Sequence, residues 1–153
     1  MANDLYVPDA NVFLEYIYDR PLRNRSKQIL QDAILNKIQV LVPSILIDEI
    51  TEVLCGNLNN LEEVQWHIRY LETLAKQEVL HIVIPNSAVR MKAIEIAKTG
   101  NSKSGYPEIT DCLYHALAIL NDAVFITNDK KHISKVKAYG HIQQLSRYSC
   151  STI

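Results

Sequence analysis

A three-layer α/β domain, with a mainly parallel sheet of four to five strands covered by helices on both faces, is the fold this 153-residue sequence predicts. Two observations predict it. Short β-type runs alternate with stretches of helical periodicity, and no two β runs are joined by a two-residue hairpin turn. No internal repeat or composition break divides residues 1–153, so one domain is expected.

Leu5-Tyr6-Val7 is the first β run, ended by Pro8-Asp9. Asn11 to Tyr18 carries Val12, Phe13, Tyr16 and Ile17 at helical spacing, and Arg23 to Asn36 carries Ile29, Leu30, Ala33 and Ile34. Ile38 to Val42 is the second β run, closed by Pro43. Ser44 is the expected N-cap of a helix from Ile45 to about Cys55, with Gly56 as its stop. Leu61, Val64, Ile68, Leu71 and Ala75 step by three and four, which predicts an amphipathic helix over 61–76. Val79 to Ile84 is the third β run, and Asn86 starts a helix to about Thr99. The stretch Thr99 to Gly105 reads as a flexible loop. Pro107 opens a helix to about Leu120, a position where a first turn tolerates proline. Val124 to Thr127 is the fourth β run, a short helix follows Asp129, and His141 to Leu145 is a candidate fifth strand.

The composition is that of a globular protein, 48% hydrophobic and 22% charged, which argues against disorder and low complexity. No apolar run approaches a membrane span, and the amino terminus lacks a basic stretch followed by an apolar one, so a cytoplasmic protein is expected. Cys55, Cys112 and Cys150 include no Cys-x-x-Cys pair, which excludes a zinc knuckle and a disulfide framework; two buried thiols and one near a chain end are expected. Seventeen acids against sixteen bases give a net charge of −1, and by itself this argues against nucleic acid as a partner.

The position of the acids matters more than their number. In open parallel sheets ligands gather at the carboxyl ends of strands, and Asp9 and Asp129 directly follow the first and fourth β runs. Each also suits a helix N-cap. On the wheel of residues 45–55, Leu46, Ile47, Ile50, Val53 and Leu54 make the apolar arc, with Asp48, Thr51 and Glu52 opposite as solvated residues. Glu49 falls at the edge of the arc, where a carboxylate must be paired, hydrogen-bonded or metal-bound. An arginine is one possible partner. Asp111 lies in an early turn of its helix, sharing a side with His115 and Ala118, while Ile109, Leu113, Ala116 and Leu120 mark the expected core face. Small Ala118 calls for a close approach by another element, or a cleft. Clustered carboxylates repel one another, so a pocket of Asp9, Glu49, Asp111 and Asp129 calls for a hard divalent cation, Mg²⁺ or Mn²⁺. Such a cation activates water and neutralises charge on an attacked phosphodiester.

These residues resemble a PIN-domain nuclease. The match comprises Val7-Pro8-Asp9-Ala10-Asn11-Val12, Pro43-Ser44 followed by Glu49, Asp111 and Ala116 on a late helix, and Phe125-Ile126-Thr127-Asn128-Asp129-Lys130. The resemblance implies a pocket of the four acids holding Mg²⁺ or Mn²⁺, and hydrolysis of single-stranded or structured RNA by metal-activated water. Asp9 and Asp111 would be direct ligands; Glu49 and Asp129 would bind through water or position the nucleophile. Asn11 would hold the Asp9 carboxylate and Thr127 would orient a water. Many members of this size are VapBC-type toxins, which implies a small antitoxin protein as partner, and homodimers are common. Ala10 stands where many members carry Ser or Thr, and Lys131 stands near a fifth acid of some members. With the four acids neutralised, 13 acids remain against 16 bases, a scaffold compatible with RNA. Lys103, Lys130 and Lys131 flank the site as candidate phosphate contacts, and Tyr106 is placed to stack on a base. His115 reads as structural.

The alternative reading is a PIN-like module that binds RNA or a protein without cleaving. Other phosphotransfer classes fit less well. Asp9-Ala10-Asn11 lacks the second aspartate of a haloacid-dehalogenase motif, no acidic pair of a response regulator follows the first strand, and no Gly-x-x-x-x-Gly-Lys loop exists.

Overall fold

A computed structural model describes residues 4–99 and 105–149. Five strands, β1 (Asp4–Pro8), β2 (Ile38–Pro43), β3 (Leu80–Val83), β4 (Val124–Thr127) and β5 (Ile142–Gln144), form one sheet in the order β3-β2-β1-β4-β5. Every pairing is parallel. The described residues also contain seven α-helices: α1 (Ala10–Ile17), α2 (Arg23–Ile34), α3 (Leu46–Asn57), α4 (Leu61–Lys76), α5 (Ser87–Ala97), α6 (Ile109–Leu120) and α7 (Lys130–Val136). Among these residues no helix is long and apolar enough to cross a membrane.

The chain leaves β1 for β2 and β3 in one direction along the sheet, then crosses back to β4 and β5 in the other. Right-handed crossovers therefore lay α1 to α4 over one face and α5 and α6 over the other. Helices on both faces explain the continuous apolar strands: Val7, Val40, Val42, Phe125 and Ile126 are fully buried. The α6 helix lies against β1, β2 and β4, with α5 packed beside it. Burying its Leu117 contributes on the order of 2 kcal/mol.

Several local expectations are corrected. Ser44 does not cap α3; Ile45 holds the N-cap position and makes no side-chain hydrogen bond to the helix. Gly56 does not stop it but lies inside the helix. Helices end instead on non-glycine residues with left-handed backbone: Asn36 after α2 (φ 58°), Glu78 after α4 (φ 62°) and Asp122 after α6 (φ 52°). The core face expected for α6 is also displaced. Ile109 and Leu120 are exposed, whereas Tyr114, His115, Leu117 and Ala118 are buried, because α6 is covered by the sheet on one side and by α5 on another. Cys55 is exposed rather than buried, and Cys112 is buried. Cys150, Lys103 and most of the expected 99–105 loop lie outside the described residues.

Candidate active site

At the carboxyl edge of the sheet, β1 and β4 are neighbours with Pro8 opposite Ile126. The chain departs from them in opposite directions, which opens a crevice at this edge. Asp9 and Asp129 stand there because each is the first helical cap after its strand. The Asp9 main-chain N–H donates to the Ile126 carbonyl (3.0 Å), and its Oδ1 accepts from Val12 N–H of α1 (3.1 Å). Asp129 Oδ1 accepts from the Lys131 and His132 amides of α7 (3.0 and 3.1 Å). Capping and lining the crevice are therefore compatible roles for both acids.

Thr127 joins the two. Its hydroxyl, 1% exposed, donates to Asp9 Oδ2 (2.5 Å) and accepts from the Asp129 amide (3.0 Å). The single hydroxyl proton is thus committed to Asp9. Asn11 is exposed, and the support it gives Asp9 comes from its main-chain amide.

The α3 and α6 helices supply the other wall. A cleft of about 270 Å³ is lined by Asp9, Glu49, Asp111 and Asp129, together with Glu52, Glu108 and Tyr114. All four predicted acids are brought together. Glu49 is half-buried, and its partner is a phenol: Tyr114 Oη donates to Glu49 Oε1 at 2.5 Å. Among the described residues no arginine or lysine pairs with any of the four, and the ion pairs found lie elsewhere.

Three polar residues of the lining were not anticipated. Glu52, expected to be solvated opposite the core, is exposed but borders the cleft, because the cleft meets α3 at its polar edge. Glu108 occupies the N-cap position of α6, with no side-chain hydrogen bond to the helix, and stands one turn ahead of Asp111. Tyr114 follows Asp111 by three residues, a spacing that places it on the same face and offered a legible signal.

The charges strain against each other. Burial pushes Asp9 up to about 6, against the hydrogen bonds from Thr127, Val12 and Asn11, and the charge of Asp129 adds to the rise. Asp111 is pushed up to about 7, by burial first and then by Asp9, Asp129, Glu108 and Glu49. Glu49 is raised by burial and by Glu108 and Glu52, while the Tyr114 hydrogen bond opposes the shift. Burial and Glu49 together raise the Tyr114 phenol, which keeps it protonated and donating.

Carboxylates that repel one another without cationic partners are a donor set for a hard divalent cation. Among the described residues, however, no three acid, histidine or cysteine side chains converge as a preformed metal cage. The acids line one cleft, and a cation that keeps several waters, as Mg²⁺ does, needs only one or two direct carboxylate ligands.

Beyond the acids, His115 is fully buried, and its Nε2–H donates to the Gly140 carbonyl (2.8 Å), so it is structural. Ala118 lines neither this cleft nor its neighbour, and close packing accounts for its size. Lys130 is exposed and also lines neither. Lys131 and Tyr106 line the adjacent cleft.

A parallel α/β sheet of this order, with an acidic crevice at the β1/β4 switch point, defines a class of fold and site. The PIN domain family profile matches residues 6–138, and the chain belongs to the PIN-domain family. Among solved structures it is similar to VapBC-1 from nontypeable Haemophilus influenzae, at 18% identity and a TM-score of 0.67, covering 94% of this chain and 99% of that one. It is similar to VapBC2 from Rickettsia felis, bound to a DNA fragment from its promoter, at 17% identity and TM-score 0.69, covering 92% and 98%. A toxin-antitoxin complex from Klebsiella pneumoniae matches at 14% identity and TM-score 0.61, covering 94% and 98%. Among curated proteins, no sequence match is found.

Proposed function

We propose that this protein is a Mg²⁺- or Mn²⁺-dependent endoribonuclease and the toxin of a toxin-antitoxin pair, acting in the cytoplasm. The observation that carries the reading is the convergence of Asp9, Glu49, Asp111 and Asp129 on one cleft, with no basic partner among the described residues. Membership in the PIN family supports nuclease chemistry. Asp9 and Asp111 would hold the cation directly, while Glu49 and Asp129 would accept from its waters. When bound, such a cation lowers the pKa of a coordinated water and neutralises charge on the attacked phosphodiester.

The chain's own residues do the rest. Thr127 locks one oxygen of Asp9 and the Asp129 amide, and Tyr114 locks one oxygen of Glu49. The carboxylates are thus oriented before substrate arrives, which is where much catalytic power resides. Ala10 supplies no hydroxyl to the cleft, so phosphate contacts fall to other groups.

An antitoxin partner is supported by the complexes in which the similar structures occur. It is also supported by an apolar surface on α4. Trp66 is exposed and stacks on Tyr70 with centroids 5.8 Å apart, beside Phe13, Ile17 and Leu71. Patches of this kind mark protein partners.

The test is cleavage of single-stranded RNA with Mn²⁺ or Mg²⁺, and its loss on chelation. Asp9→Asn should abolish it. Equal cleavage by wild type and Asp9→Asn would place the activity elsewhere, and no cleavage across a broad panel of RNAs would favour a binding-only module.

A further inference from the structure

A second cleft, of about 140 Å³, opens beside the first. Glu108, Asp111 and Asp129 line both, so the two are joined along one acidic wall. Its remaining lining is of different chemistry: Lys131, Lys135, Tyr106, Pro107 and His132. Lys131 and Lys135 lie one helical turn apart on α7 and present two ammonium groups. Gly105 (φ 82°) brings the chain close to one of them, since a Cβ there would stand 3.6 Å from Lys135 Nζ. The Tyr106 ring is 51% exposed, and Lys98 Nζ lies 5.3 Å from its centroid. His132 is 3% exposed, and neither ring nitrogen has a hydrogen-bond partner among the described residues. The ammonium groups of this cleft are those of Lys131 and Lys135.

The volume equals about four or five waters at ~30 Å³ each. That suits a phosphate with part of its hydration shell. The base would remain outside, at the exposed Tyr106. Two lysines facing a shared acidic wall form a site whose halves differ in sign: a cation-dependent half at the acids and an ammonium half across from it.

We propose that this second cleft is a substrate subsite, binding the RNA phosphate adjacent to the scissile one through Lys131 and Lys135, with Tyr106 as the stacking platform for its nucleotide. The inference rests on the reading of the first cleft as the place where RNA is cut. It assigns the subsite to one side of the cut only, because the basic cleft flanks Asp111 and Asp129 and not Glu49.

The test uses the full chain and a fluorescein-labelled single-stranded RNA octamer that the wild type cleaves at one position. Lys131→Ala/Lys135→Ala should raise KM roughly tenfold at about 0.1 M salt and leave kcat within twofold. On an Asp9→Asn background, the logarithmic salt dependence of binding, read by anisotropy, should become shallower by about 0.7 for the lysine pair, the value for one phosphate. A neutral methylphosphonate is then placed on either side of the cut. One position should weaken binding to the Asp9→Asn protein, and the same position should cost nothing further once both lysines are gone. Tyr106→Ala should weaken binding, and Tyr106→Phe should restore it.

Unchanged salt dependence in the double lysine variant, or additive losses from variant and methylphosphonate, would overturn the subsite. If Asp9→Asn still cleaves, the reading of the first cleft fails instead. Loss of binding to every RNA position alike, with no register effect, would show general attraction and not a subsite.

Discussion

Tyr114 of α6 and Glu49 of α3 are 65 residues apart, and the phenol hydroxyl of one lies 2.5 Å from a carboxylate oxygen of the other. This hydrogen bond answers what neutral group faces an acid at the edge of a buried helix face. It also explains how Glu49 remains available: one oxygen is held, and no cation competes for the carboxylate.

Tyr114→Phe removes the donor and leaves the packing surface. Because that hydrogen bond holds the Glu49 pKa down against burial, its loss raises it further. The acidic limb of the cleavage–pH profile should move to higher pH, with activity lost more at pH 6 than at pH 8. An unchanged profile would separate Glu49 from the chemistry. The cost in stability should be about 1 kcal/mol, since Glu49 is half-buried and water replaces part of the bond.

Thr127 holds Asp9 and the Asp129 amide through one buried hydroxyl. Thr127→Val is close in shape but leaves both partners unsatisfied, and should lower stability by about 1–3 kcal/mol. Mn²⁺ affinity, measured by calorimetry, should fall roughly 10–100-fold. Thr127→Ser should restore both. Failure of serine to rescue would point to the methyl group and not the hydroxyl.

Asp9 and Asp111 make the stability of the metal-free protein depend on pH in an unusual direction. Both pKa values are raised above the ordinary carboxylate range, to about 6 and about 7. The folded state therefore binds their protons more tightly than the unfolded state. Their contribution to stability is fully present below about pH 4 and is lost as pH rises through 6 to 7. Asp9→Asn should accordingly be more stable than wild type without metal at pH 8, and the gap should shrink as pH falls toward 4. For Asp9 the shift corresponds to roughly 3 kcal/mol at most. Metal should reverse the trend: Mn²⁺ should raise the melting temperature of the wild type more at pH 8 than at pH 6, because below pH 7 it must displace protons. Thermal melts with EDTA and with Mn²⁺ across this range decide it.

Gly56 lies within α3, and a Cβ there meets nothing within 4 Å. Its backbone is helical, so alanine fits without strain and restricts the unfolded chain. Gly56→Ala should stabilise the protein by about 0.4–1 kcal/mol, read as a higher denaturant midpoint with unchanged slope. Destabilisation would mean that the glycine has a role outside helix propensity.

The sequence by itself determined the strands, their parallel arrangement and the acids that follow them. Continuous apolar runs such as Val40 to Val42 and Val124 to Ile126 are best buried in a sheet covered on both faces, and a residue directly after a parallel strand must emerge at its carboxyl edge. Asp9 and Asp129 were legible for that reason, and Glu49 because helical periodicity places it at the margin of an apolar arc. What the tertiary structure decided is which elements meet. Periodicity assigns a residue to a face of its own helix and is silent about what covers that face. The rotation of α6 between the sheet and α5 buried Tyr114 and His115 while exposing Ile109 and Leu120, and that rotation brought Tyr114 to Glu49 and Glu108 to the rim of the cleft. The choice of Thr127 as the clasp between Asp9 and Asp129 depends likewise on β1 pairing with β4 across more than a hundred residues. Such contacts are set by crossover direction and packing, which no local pattern encodes.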